Sequence, residues 1–377
     1  MERLIYFDHA ATSWPKPSGV NEAMRSALSE KGGNPGRSGH VLSVRASRAI
    51  FECREQFCRL FSFEFPERIV FTQNATYALN TAIKGLAHDG DHIVISNLEH
   101  NSVLRPIHAL CNSGRRITCS MFDATDNDDE AVLYSFRRAL KDNTRLAVIS
   151  CASNVCGKIL PVSKISQICR ARNIKLIADG AQAGGVFPLD FNLLGADVLC
   201  LAGHKGLYGP QGTGVMLCNQ GVEPLCLAEG GNGINSEERT MGELLPERLE
   251  AGTLNTPGIC GLCEGVKYVI KETPEEIFGK TLHLSRYAKE RLLSLEDVTV
   301  YGNYDVCAPI ILFNKKGKSP SDVASYLSDM GICVRSGLHC APTAHAALGS
   351  SGGVRVSFGH KNTKAEIDKF LVALKRM

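Results

Sequence analysis

Two apolar runs in this 377-residue chain end on charged side chains. Lys175-Leu176-Ile177-Ala178 leads into Asp179-Gly180-Ala181-Gln182. Val198-Leu199-Cys200-Leu201-Ala202-Gly203 leads into His204-Lys205, 26 residues beyond Asp179. Runs of this kind read as buried strands, and a carboxylate or ammonium at the mouth of one is costly unless a partner compensates. A desolvated lysine loses proton affinity and becomes an amine nucleophile able to form a Schiff base. Alone, Lys205 would read as a turn lysine with its ammonium in solvent; Asp179 upstream favours the buried, reactive reading.

Three more runs end on polar clusters. Thr72-Gln73-Asn74-Ala75-Thr76 precedes a helical pattern, so free amides, the helix dipole and the Thr76 hydroxyl converge on an anion site; read blandly, Asn74 or Thr76 is an N-cap. Asn97-Leu98-Glu99-His100-Asn101-Ser102 offers His100 to stack on or protonate a ligand, or to bond backbone in a loop. Ser153-Asn154 makes an Asx turn or a ligand contact. Late in the chain, Val334-Arg335-Ser336-Gly337-Leu338-His339-Cys340-Ala341-Pro342 is a Gly- and Pro-punctuated loop in which Arg335 and His339 favour a Cys340 thiolate. His339, Cys340 and His345 are also soft ligands, but no CxxC joins them at zinc spacing, so no metal site is expected. Cys260-Gly261-Leu262-Cys263 has CxxC spacing within an apolar helix-like run and reads as core packing.

The elements that must position these residues follow from periodicity. Apolar runs at Arg68 to Phe71, His92 to Ser96, Arg145 to Ser150, Lys175 to Ala178, Val198 to Leu201 and Gly214 to Leu217 alternate with helical patterns, a βαβ arrangement that predicts an α/β, mostly parallel sheet. Segment 221–258 reads as a long functional loop system. Beyond about residue 272 the pattern changes to helix, strands at Val298 to Tyr301 and Ala308 to Phe313, and a helix from Ser319 to Met330. A large domain over 16–271 and a smaller α+β domain over 1–15 plus 272–377 are expected.

Composition agrees with a small-molecule enzyme. The chain is 44% hydrophobic and 21% charged, which excludes disordered and fibrous classes. A net charge of +3 gives no field for nucleic acid or a membrane surface. MERLIYFDHAAT lacks the apolar core of a signal peptide, no stretch resembles a membrane span, and fifteen cysteines, most in apolar segments, fit a reducing compartment. A cytoplasmic setting is expected.

A lysine for a Schiff base, a carboxylate for a ring nitrogen and an anion cradle together describe pyridoxal 5'-phosphate (PLP), whose electron sink needs a protonated pyridine. With those residues identified, the sequence resembles the PLP fold-type-I, class V aminotransferase family, and within it the group II cysteine desulfurases and selenocysteine lyases. The resemblance runs from YFDHAATSWPKP at residue 6 to VRVSFGHKNTKAEID at residue 354. It takes in GRSGHVLSVRAS, TQNATYALNTAI, LEHNS, SNVCGKILPV, ADGAQAGGVFPLD, AGHKGLYGPQGTG, EAGTLNTPGI and VRSGLHCAP, in the family's order.

The resemblance implies roles. Lys205 carries the cofactor, Asp179 pairs with its ring nitrogen, Gln182 bonds its phenolic oxygen and His100 stacks on its ring and handles protons. Ala75, Thr76 and His204 hold the phosphate, with Thr253 reaching it from the second subunit of a homodimer. Asn154 and Arg355 receive the substrate, Arg355 through its carboxylate, and Cys340 takes up sulfur as a persulfide. L-Cysteine, with L-selenocysteine as the alternative, is the implied substrate, and a protein sulfur acceptor serving iron–sulfur assembly, tRNA thiolation or another pathway is the implied partner. Ala202 in place of a serine, Gly206 lengthening the loop after the lysine, and Leu338 in place of a histidine depart from the pattern. The rival in another class is a sulfur-carrier or scaffold protein with a degenerate cofactor site.

Overall fold

Strands apolar at every position must be covered on both faces, and in a computed structural model of the chain they are. The structure describes residues 4–36, 39–231, 233 and 237–377; Arg37 and Ser38 of the GRSGHVLSVRAS stretch, residues 1–3 of the N-terminal motif and part of the 221–258 segment lie outside the described residues. Seven strands form one sheet in the order Ile69–Thr72, Gly214–Cys218, Val198–Ala202, Lys175–Asp179, Thr144–Ser150, His92–Ser96 and Thr118–Phe122. Gly214–Cys218 is antiparallel to both neighbours; every other pairing is parallel. The expected mostly parallel sheet is present. The periodicity misses Thr118–Phe122, an edge strand whose single buried residue is Phe122.

Side chains alternate between two cores. Ala147, Ile149, Leu176, Ala178, Leu199 and Leu201 face a cluster with Phe57, Phe61 and Leu262. Leu146, Val148, Ile177, Val198 and Cys200 face another, with Leu79, Ile83 and Val103. Because the other six strands share one direction, their carboxyl ends form one edge of the sheet, where ligands of open α/β folds collect.

Four antiparallel strands, Arg335–Gly337, Gly353–Ser357, Ile310–Lys315 and Val298–Tyr301, form a second sheet around Phe313, Val354, Val356 and Phe370. The strand expected at Ala308 starts instead at Ile310, because Pro309 has no N–H to give a ladder. The helix expected from Ser319 spans Pro320–Asp329, with Ser319 as its N-cap. Ile5–Tyr6 pairs in parallel with Ile332–Cys333, and Asp8 bridges to Ser357, so the start of the chain is joined to its last third. Among the described residues, no helix or strand interrupts the segment between Cys218 and Thr256, as expected for a loop system. No helix among them is long and apolar enough to cross a membrane.

One contact ties the sheet to the start of the helix Ala75–Leu86. A Cβ on Gly214 would lie 2.3 Å from the carbonyl carbon of Asn74, the residue that caps the helix Ala75–Leu86. Gly214→Ala is therefore expected to lower stability by about 1–3 kcal/mol in urea unfolding, because rigid backbone must move. Gly279→Ala is the converse case: it stands inside the helix Pro274–Leu293 with nothing within 4 Å, and is expected to raise stability by about 0.5–1 kcal/mol.

Candidate active site

At the shared strand edge lies a cavity of about 220 Å³ lined by Ala75, Thr76, His100, Asn154, Asp179, Gln182, His204, Lys205, Cys340 and Arg355. Residues from Ala10 to Arg355, 345 positions apart in sequence, meet there, drawn from both sheets. Thr253 is not among them; it lines a separate cavity with Arg54 and Glu250.

The anion side starts at the helix Ala75–Leu86. The Asn74 side chain accepts from the Tyr77 amide at 2.9 Å, so the bland N-cap reading is correct for Asn74, and the first-turn residues Ala75 and Thr76 still line the cavity. Thr76 Oγ1 lies 2.9 Å from Ser102 Oγ. His204 Nδ1 is buried and has no hydrogen-bond partner. A buried imidazole nitrogen left unpaired beside a helix N-terminus suits an anion. Ala202, also on the wall, supplies no hydroxyl.

His100 is both cap and cavity wall. It precedes the helix Asn101–Cys111, and its Nδ1 accepts from the Ser102 amide at 3.0 Å. A ring nitrogen that accepts from an amide bears no proton, so the neutral ring carries its proton on Nε2. Burial, reinforced by the charges of Lys205 and Arg355, lowers its pKa to about 4.

The Lys205 ammonium is removed from water, which lowers its pKa to about 8; Asp179 opposes that shift while Arg355 and Arg335 add to it. Asp179 is buried on the adjacent strand end, which raises its pKa; the Ala181 amide, donating at 2.9 Å, and Lys205 offset part of that cost. Just before Lys205, the carbonyl of His204 accepts from the Ser13 amide (3.0 Å), Thr12 Oγ1 (3.0 Å), Ser13 Oγ (3.2 Å) and Lys16 Nζ (2.7 Å). Gln182 Nε2 donates to the Ala10 carbonyl at 2.9 Å.

Arg355 and the cysteine loop complete the lining. Arg355 donates to the Asn154 carbonyl and to Asp8 Oδ1, each at 2.9 Å, and its buried Nε has no partner. Asp8 carries no signal of its own in the sequence; it lies inside YFDHAATSWPKP, and only folding brings it to Arg355. His339 and Cys340 have φ of 51° and 55°, the left-handed region that costs non-glycine residues on the order of 1–3 kcal/mol each. Two hydrogen bonds hold the loop there. Asn154 Nδ2 donates to the His339 carbonyl and the Asn101 amide to the Cys340 carbonyl, both at 2.7 Å. Among the described residues Cys340 alone of the cysteines is exposed, while Cys260 and Cys263 are buried. His339 Nδ1 lies 3.2 Å from His345 Nε2, and no group of three or more His, Cys, Asp or Glu among the described residues could hold a metal ion.

Residues 5–370 match the family model "Aminotransferase class-V". The chain belongs to that family. It is 34% identical over 372 residues to a "Probable cysteine desulfurase" of Methanothermobacter thermautotrophicus, covering 96% of this chain and 92% of the relative. A "Probable cysteine desulfurase" of Mycolicibacterium paratuberculosis is 32% identical, covering 99% of this chain and 55% of that longer protein. The structure of an apo cysteine desulfurase from Thermococcus onnurineus NA1 superposes with a TM-score of 0.91 at 32% identity, covering 99% of this chain and 94% of that one. The fold is thus the PLP-dependent transferase fold of the class V family. This cavity suits that cofactor: an unpaired buried His204 Nδ1, a helix start, buried Asp179 and half-buried Lys205 all line it.

In cofactor-free protein, competitive acetylation read by mass spectrometry should show Lys205 half-reactive near pH 8, well below surface lysines. Asp179→Asn should move that midpoint lower still, because the anion that holds the proton on Lys205 is gone.

Proposed function

We propose that this chain is a PLP-dependent cysteine desulfurase that converts L-cysteine to L-alanine and carries the sulfur as a persulfide on Cys340. The observation that carries the reading is that one exposed thiol, one half-buried lysine and one buried arginine line a single cavity. The relatives and the solved structure named above bear the same activity in their names.

The cofactor would be held by Lys205, with Asp179 at its ring nitrogen, Gln182 at its phenolic oxygen, His100 against its ring, Asn154 beside it, and the Ala75 amide, Thr76 and His204 at its phosphate. When bound, PLP supplies an electron sink for the substrate's Cα. Arg355 orients the substrate carboxylate in a charge-assisted pair, with Asn154 beside it. Lys205, whose amine is neutral above about pH 8, takes the Cα proton. Cys340 attacks the substrate sulfur as the thiolate; the sulfur–carbon bond breaks, a sulfur–sulfur bond forms, Cβ takes a proton in place of sulfur, and Lys205 returns the proton to Cα to give alanine. His100, with its proton on Nε2, is the donor on that side of the cavity.

The same reading divides the chain into a PLP-binding domain, 16–271, and a domain of 1–15 plus 272–377 that carries the cysteine loop. It joins two copies as a homodimer, with Thr253 completing the partner's phosphate site. A protein acceptor takes the sulfur in a cytoplasmic, reducing setting that suits fifteen cysteines without a disulfide.

Substitutions separate the steps. Lys205→Ala should abolish alanine formation, a loss of at least about 10³-fold. Cys340→Ser should keep the cofactor and still change its absorbance on adding L-cysteine, yet release no alanine. After brief exposure of the wild type to L-cysteine, mass spectrometry should find added sulfur on the Cys340 peptide. Sulfur on Cys260 or Cys263 instead would overturn the nucleophile, and L-selenocysteine turnover surviving Cys340→Ser without L-cysteine turnover would favour a selenocysteine lyase. A colourless protein that cannot be loaded with PLP would favour the scaffold reading.

A further inference from the structure

Glu99 is a wholly buried carboxylate for which the proposed reaction has no use. It sits between the ends of the strands His92–Ser96 and Thr144–Ser150. Oε1 accepts from Ser96 Oγ at 2.5 Å and from the Ser150 amide at 3.0 Å, and Oε2 accepts from Ser150 Oγ at 2.6 Å. Ser150 also lines the cavity and stands in register with Asp179 on the next strand. One hydroxyl therefore separates the hidden carboxylate from the cavity.

That hydroxyl has a single proton and can serve one acceptor at a time. With Glu99 ionised, the proton points down to Oε2, and Ser150 offers the cavity only lone pairs. Oε1 already meets two donors, so a proton taken up by Glu99 belongs on Oε2. Oε2 then donates to Ser150 Oγ, and the serine's own proton is released toward the cavity. The ionisable groups facing Glu99 are Asp179 on the strand Lys175–Asp179 and the Cys151 thiol just after Ser150. Burial, with the charge of Asp179 adding to it, lifts the Glu99 pKa to about 7 against the three hydrogen bonds that lower it, while burial keeps the Cys151 thiol protonated and uncharged.

We propose that Glu99 and Ser150 form a hydrogen-bond switch beneath the cavity, in which proton uptake by Glu99 turns Ser150 from an acceptor into a donor beside Asp179. Glu99 is thus a positioning residue acting through Ser150. The switch exists in the protein alone; its consequence for a bound cofactor rests on the PLP reading of the cavity.

The test is pH-difference infrared spectroscopy of the cofactor-free protein. A buried carboxylic-acid carbonyl band should grow as pH falls through about 7 and should be missing in Glu99→Gln. Ser150→Ala removes one donor to the anion and keeps the carboxylate, so the band's midpoint should rise by about one pH unit or more. This variant leaves the Ser96 and amide contacts in place and keeps the test decisive if Glu99→Gln folds poorly. No titrating band in the wild type, or an unchanged midpoint in Ser150→Ala, overturns the switch. In PLP-loaded protein the pH inflection of the visible absorbance should move with the infrared midpoint; an inflection that stays put in Ser150→Ala overturns the coupling to the cavity. Failure to bind PLP overturns the cofactor reading, while the infrared result still decides the switch.

Discussion

An ammonium carried out of water forfeits hydration that only charge or hydrogen bonds can replace, and Lys205 is such a group, placed among cations rather than among acids alone. Asp179 pulls its proton affinity up; burial, Arg355 and Arg335 pull it down. The balance leaves a lysine that is charged or neutral within reach of ordinary pH, which a surface lysine is not. At this strand edge the amine is partly withdrawn from water, with one carboxylate and two guanidinium groups acting on its charge. The neighbouring histidines share the consequence: His100 and His204 both fall to about pKa 4, chiefly through burial, with Lys205 the largest charge effect on each. They meet a ligand as neutral rings.

The start of the chain is what makes the arrangement rigid. Within nine residues, Asp8 pairs with Arg355, the Ala10 carbonyl holds Gln182, and Thr12, Ser13 and Lys16 all donate to the carbonyl of His204. The same segment is fastened to the strand Ile332–Cys333 through Ile5–Tyr6 and to the second sheet through the Asp8 bridge to Ser357. It therefore spans both sheets and fixes the backbone next to Lys205 from one side while fixing the guanidinium of Arg355 from the other. A displacement of this segment moves both ends of the cavity together.

The sheet was legible because strands buried on both faces must be apolar at every position, and five payloads could be found simply by reading past each run. Asp179, Lys205, His100, Asn154 and Thr76 all lie on the cavity for that reason. What stayed hidden lacked such a signal. Thr118–Phe122 is an edge strand with half-exposed polar residues, so no apolar run marks it. Asp8 and Glu99 were each inside a motif, but their partners lie 347 and 51 residues away, and no local pattern joins an acid to a residue that folding alone brings near. The His100 alternatives turned out not to compete: a ring can cap a helix with Nδ1 and still form part of a cavity wall.

The cysteine loop shows how strain and placement are linked. Two successive non-glycine residues in the left-handed region would relax toward other conformations if the loop were free. Both carbonyls are clasped, however, and the clasps come from the cavity's own walls: Asn154, whose carbonyl also holds Arg355, and the amide of Asn101, next to His100. Loop geometry is thereby tied to Asn154 and Asn101, and through them to Arg355 and His100, at once. An exposed thiol on an independent loop would sample many positions; Cys340 instead stays exposed to solvent while its backbone is set by the same contacts that set Arg355 and His100. In the proposed reaction, exposure would suit a group that hands sulfur onward, and the clasped backbone one that first meets it inside the cavity.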